Sequence, residues 1–170
     1  MGQASRLAVL VAAGAALAIV FAGCGSPEPI DWPEEASLEL GTGSWRFEPI
    51  EDGAEVNLVR GAQGGWHIWL SLRTAGVMAN TVTLNLHTEL PEAETTAHDV
   101  NSETPVSLDP PNADGERLLV GWPHILPDPG CFVGQTVVLT ALVSDDAGHS
   151  LSDERTLVIG GGDDPPPPCE

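Results

Sequence analysis

The chain has 170 residues, 25 acidic side chains against six basic ones, and a formal charge of −19. All six basic residues are arginine, and lysine and tyrosine are both absent. A field of that sign opposes nucleic acid and anionic surfaces, with no basic patch to override it, and leaves solubility or attraction of cations as its uses.

The chain opens MGQASRLAVLVAAGAALAIVFAGCGS. Arg6 supplies a short positive region, 7–22 is an unbroken run of apolar and small residues, and small residues close it. That pattern predicts a helical secretory signal peptide over residues 1–23. The rival reading is a transmembrane helix, for which the run is slightly short, since a span needs about 20 apolar residues. The four residues FAGC, ending at Cys24, resemble the lipobox of bacterial lipoproteins. The resemblance implies cleavage after Gly23, acylation of Cys24 and anchorage to the cell envelope. With Gly25 rather than aspartate next, it points to the outer membrane. It departs from the family at Phe21, where leucine is usual. Each buried methylene contributes about 0.8 kcal/mol, so two or three acyl chains hold stably where one does not.

Residues 24–36, CGSPEPIDWPEEA, are rich in proline and acid and read as an extended tether. A single domain is expected over 37–160 and a Pro-rich tail over 161–170, where four prolines favour polyproline II. Inside the domain the hydrophobic period is two. Leu38 and Leu40 open it. Trp66, Ile68, Leu70 and Leu72 then alternate with His67, Trp69, Ser71 and Arg73. Val82, Leu84 and Leu86 follow, and then Val137, Leu139, Ala141 and Val143. Such alternation argues half-buried strands. Shorter strands are expected at 45–48, 55–59, 104–108, 117–122 and 155–159, with Gly, Pro, Asn and Asp between them. Many short strands with turn signals predict an all-β sandwich or barrel.

The segment GQTVVLTALVSDDAGHSLSDERTLVI reads as a strand, a turn at 145–148 and a return strand. It resembles the closing hairpin of immunoglobulin-like and fibronectin-III-like domains, which implies a single antiparallel sandwich of that type. The antibody subtype is excluded: without tyrosine there is no tyrosine corner, and 66–73 and 136–144 hold no cysteine for an inter-sheet bond. Together with LELGTG and DGAEVNLVRGAQGGWHIWLSLR, this hairpin is similar to lipoproteins of myxobacterial type, a resemblance that brings no activity with it.

Cys131 and Cys169 remain. In an oxidising compartment an even number of cysteines pairs, and the two fall at the same end of the closing hairpin. A bond would pin the tail to the domain; the alternative is two free thiols. No CxxC spacing supports a metal site.

The stretch GAQGGWHIW joins glycines to two tryptophans. A phosphate loop would need a following helix and usually a lysine, and here a strand follows. The glycines are read as backbone geometry at the start of the strand. Trp66 is expected to face the core, with His67 and Trp69 on the other face. If open, that face is an aromatic platform for a protein or glycan; if covered, it is satellite core, and cover is the preferred reading. The histidines at 67, 87, 98, 124 and 149 form no HxH or HExxH pattern, so no metal centre is expected of them. Asp145, Asp146, Asp153 and Glu154 form an acidic turn that fails the EF-hand spacing and is at most a weak calcium site. Ser150 beside His149 is a sequence neighbour, and no GxSxG elbow is present.

The sequence therefore predicts a lipid-anchored envelope protein with no cofactor and no nucleic-acid partner. Its membrane contact is the lipid anchor, and its domain is a non-enzymatic binding or structural module. A calcium-binding protein using 145–154 is the second reading. A hydrolase is the third, and would need a deep pocket with converging carboxylates or histidines.

Overall fold

The computed structural model describes residues 31–91 and 100–169. The expected signal peptide, Cys24, the first part of the tether and His98 lie outside the described residues. Among the described residues, ten strands follow in chain order. β1 is Ser37–Thr42, β2 Glu48–Pro49, β3 Glu55–Asn57, β4 Val59–Arg60 and β5 Trp66–Ala75. β6 is Thr81–Glu89, β7 Val100–Ser107, β8 Glu116–Ile125, β9 Thr136–Ser144 and β10 Ser150–Gly160. A single 3-10 turn at Pro129–Cys131 is the regular helical element among the described residues. The fold is all-β, in two sheets.

The first sheet is built on β5. Leu70 and Leu72 pair with β1 and β8 at once, so those strands lie on opposite edges of β5. His67 pairs with Val59 of β4 and with Ile125 of β8, which puts β4 on the same edge as β1. β2 extends that edge beyond β1. The second sheet runs β3-β10-β9-β6-β7. Its one departure from the expected antiparallel order is β3, which runs parallel to β10.

The core lies between the sheets. Leu40, Ile68, Leu70 and Leu72 come from the first sheet; Val82, Leu84, Leu86, Val137, Leu139, Ala141, Val143, Leu157 and Ile159 come from the second, all buried. These are the alternate positions read from the sequence, because successive strand residues point to opposite faces. Each fully buried Val, Leu or Ile contributes about 1.5–3 kcal/mol.

Two expected strands are corrected. Residues 55–59 are not one strand: the chain pairs with β10 through Asn57, buries Leu58, and joins β5 from Val59. Alternation runs unbroken through the crossing, so the period does not mark it. Residues 45–48 are mostly a loop, with strand only from Glu48. The residues after 160 belong to the folded body: Pro166 is buried, and the Cys131–Cys169 disulfide joins the two segments with Cα atoms 4.6 Å apart.

Candidate binding cleft

Because Ile68, Leu70 and Leu72 face the core, His67, Trp69, Ser71 and Arg73 face outward from β5. That outer face is not open along its length. The loop at 43–47 folds over it and is fixed by one buried hydroxyl. Ser71 Oγ donates to the Gly43 carbonyl at 2.9 Å and accepts the Gly121 N–H at 3.2 Å. Gly121 sits in the β8 bulge between the Leu70–Trp122 and Leu72–Leu119 pairs, with φ +70°. A Cβ there would lie 2.5 Å from the Ser44 carbonyl oxygen, so only glycine lets the loop approach. Thr42 Oγ1 adds a hydrogen bond to the Trp69 carbonyl at 2.7 Å.

The tip of this anchored loop is Trp45, 94% exposed. Beside it opens a cleft of about 590 Å³, with Trp45 and Trp69 on its walls and Arg46, Glu48, Glu55 and Asn57 among its polar groups. Its size falls within the range of about 300–1,000 Å³ usual for ligand sites. Arg46 and Glu48 are paired at 2.9 Å, and Asn57 Oδ1 accepts the Gly162 N–H at 3.1 Å.

The expected aromatic platform is therefore divided. Trp69 is half-buried and lines the cleft. His67 is only 8% exposed and is not a contact residue; its ring meets Trp69 edge-on, centroids 4.4 Å apart at 83°. Burial pushes the His67 pKa down, and the ring packs against Trp69. Among the described residues, His67 Nε2 has no hydrogen-bond partner.

Trp66, expected in the core, is half-buried at its margin. Its Nε1 donates to the Asp164 carbonyl at 2.9 Å, and the Arg60 guanidinium lies 5.3 Å from its ring centroid. Arg60 also pairs with Asp164 at 3.1 Å. This indole is committed to holding the C-terminal segment. The glycines before it make the β4–β5 turn, where the Gly61 N–H donates to the Gly65 carbonyl at 2.7 Å and Gly64 takes φ +91°.

The acidic residues at 145–154 are dispersed. Asp145 caps its own turn, accepting the Ala147 and His149 N–H groups at 3.0 Å each. Asp153 points between the sheets, accepts the Leu40 N–H at 2.7 Å and pairs with Arg155 at 2.9 Å. Glu154 accepts from Thr140 Oγ1 at 3.3 Å, and Asp146 stands at the turn. Among the described residues no group of three or more His, Cys, Asp or Glu is arranged to hold a metal ion. Both ring nitrogens of His149 face carboxylates, those of Asp145 and Asp31, and not Ser150.

Sequence reasoning missed Trp45 by reading it into a strand. The signal was there: Gly41-Thr42-Gly43-Ser44 directly before the tryptophan is turn chemistry, and a large aromatic on a turn has no sheet face to bury it. No family model matches the chain, and no curated protein matches it.

Proposed function

We propose that this protein is a non-enzymatic, lipid-anchored binding module of the bacterial cell envelope, and that the cleft between Trp45 and Trp69 is its binding site. The observation that carries this is Trp45, an indole 94% exposed on a loop whose backbone is held by a buried hydroxyl. Exposing a large aromatic forfeits burial worth about 1.5–3 kcal/mol. Tryptophan is also the residue type most enriched among contacts that dominate binding. A rigid mount lowers the ordering cost on association.

The immunoglobulin or fibronectin-III type is part of the same reading. What supports it is the strand order, β1-β5-β8 in one sheet and β10-β9-β6 in the other, which parallels the A-B-E and G-F-C order of such domains. Anchorage at Cys24 rests on the lipobox resemblance, and an alkyne-palmitate label that is lost in Cys24→Ser tests it.

The site is tested by retention of the full chain on delipidated envelopes from the cells that make it. Wild type is expected to be retained and Trp45→Ala to be washed away. Equal behaviour of the two proteins defeats the assignment of the cleft.

A further inference from the structure

We infer that the ligand of this cleft is an uncharged glycan, an inference that rests on the cleft being a binding site at all. The lining decides between ligand classes. Apart from the two indoles its polar side chains dominate: Thr42, Ser44, Arg46, Glu48, Glu55 and Asn57, with Val56 the single aliphatic side chain. A protein partner's apolar anchor needs an enclosed, desolvated pocket, whereas this cleft is open to solvent and carries Arg46, Glu48 and Glu55 in its lining. A pyranose has the complementary character. One face of the ring is a patch of C–H groups that packs on the negative face of an indole, and its rim is hydroxyls. A hydroxyl donates and accepts, and so can join acceptor-only carboxylates such as Glu48 and Glu55 to the donor-only guanidinium of Arg46.

Charge narrows the class. Glu48 and Glu55 outnumber Arg46 in the cleft, and Arg46 is already paired with Glu48 at 2.9 Å. The chain around them carries −19. Uronates, sialylated or phosphorylated sugars meet repulsion there. Trp69 and the loop that carries Trp45 are held before the ligand arrives. Trp45 rides on the loop tied down by Ser71, and Trp69 is braced by the His67 ring. Preformed stacking surfaces suit a stiff oligosaccharide, whose own ordering cost is small.

The retention assay separates this inference from the one beneath it. Envelopes are treated beforehand with periodate, which cleaves vicinal diols, or with a protease that is then removed. Loss of Trp45-dependent retention after periodate, and its survival after protease, is expected. The opposite pattern identifies a protein partner and overturns the glycan while the cleft stands. Retention that never depended on Trp45 overturns both. In parallel, tryptophan emission is followed on adding cellohexaose, mannohexaose or xylohexaose, with oligogalacturonate as the anionic control. At least one neutral probe should give a saturable change, weakened at least about tenfold in Trp45→Ala. Saturable binding of oligogalacturonate alone, or of none of the four, contradicts the inference.

Discussion

His124 Nε2 and Thr88 Oγ1 meet at 2.7 Å between the two sheets, one from β8 and the other from β6. Both side chains are buried, and burial pushes the His124 pKa down to about 4. The native ring is therefore neutral across the range in which an unfolded histidine, near 6.5, takes up a proton. Stability is complete above about pH 6.5 and falls as pH drops towards 4, by about 3 kcal/mol in all. Urea unfolding at pH 7.5 and 4.5 measures this. His124→Gln, which keeps a partner for Thr88, should remove most of that difference; an unchanged difference assigns the acid sensitivity to other groups.

His149 titrates with the opposite sign. Its Nδ1 lies 2.9 Å from Asp145 Oδ2, its Nε2 3.1 Å from Asp31 Oδ1, and its ring stacks on Trp32 with centroids 5.4 Å apart. Only the imidazolium donates from both nitrogens, so the hydrogen bonds to Asp145 and then Asp31 raise its pKa. Docking of the Asp31 and Trp32 segment is then strongest below about pH 6.5 and weakens as pH rises through the raised value. Acrylamide quenching that is lost in Trp32→Phe should increase between pH 5.5 and 8.5 in wild type. In His149→Gln it should be high and flat; a wild-type profile there refutes the link.

How much of this was legible follows from what alternation encodes. The inward residues of β5, β6 and β9 were readable because a two-residue period maps directly onto a face. The disulfide was readable because the closing hairpin puts Cys131 and Cys169 at one end. The crossing at Leu58 was not, since a strand that changes sheets keeps its period. The cover over Ser71 depends on a bulge in β8 and a loop from far earlier in the chain, which no local pattern records. Asp153 looked like part of an acidic turn because its partner, Leu40, is 113 residues away.

Asp153 joins the sheets at their edge. Its carboxylate accepts the Leu40 N–H and faces Arg155, whose Nε is buried and, among the described residues, unpartnered. Asp153→Ala leaves that N–H and guanidinium uncompensated and should destabilise by about 1–3 kcal/mol. Asp153→Asn keeps an acceptor for Leu40 and should lose less. Calcium should leave the melting temperature unchanged, since the Asp153 carboxylate is engaged inside the fold. A calcium-dependent rise would return 145–154 to consideration as a cation site.

The Cys131–Cys169 bond closes a loop with a sequence separation of 38. Constraining the unfolded chain to that extent is worth about 2–4 kcal/mol. The double variant Cys131→Ser, Cys169→Ser should lose that stability in urea. It should still be retained on envelopes, because neither cysteine nor any residue of the C-terminal segment lines the Trp45 cleft. Loss of retention under conditions where the variant is folded would mean that the tail contributes to the site.

Gly121→Ala should do the reverse. The residue holds φ +70°, and its missing side chain leaves room for the Ser44 carbonyl. A methyl group imposes left-handed strain of about 1–3 kcal/mol and pushes the loop off the sheet. Trp45 remains in the chain but loses its mount, as Ser71 can no longer hold Gly43 and Gly121 together. Folding should survive, as the core between the sheets is untouched, while envelope retention drops towards that of Trp45→Ala. If a folded Gly121→Ala protein is retained like wild type, a flexible Trp45 suffices and preorganisation has no part in binding. Weaker retention than in the disulfide variant, where urea unfolding shows that variant to be no more stable, would separate loss of loop geometry from loss of stability.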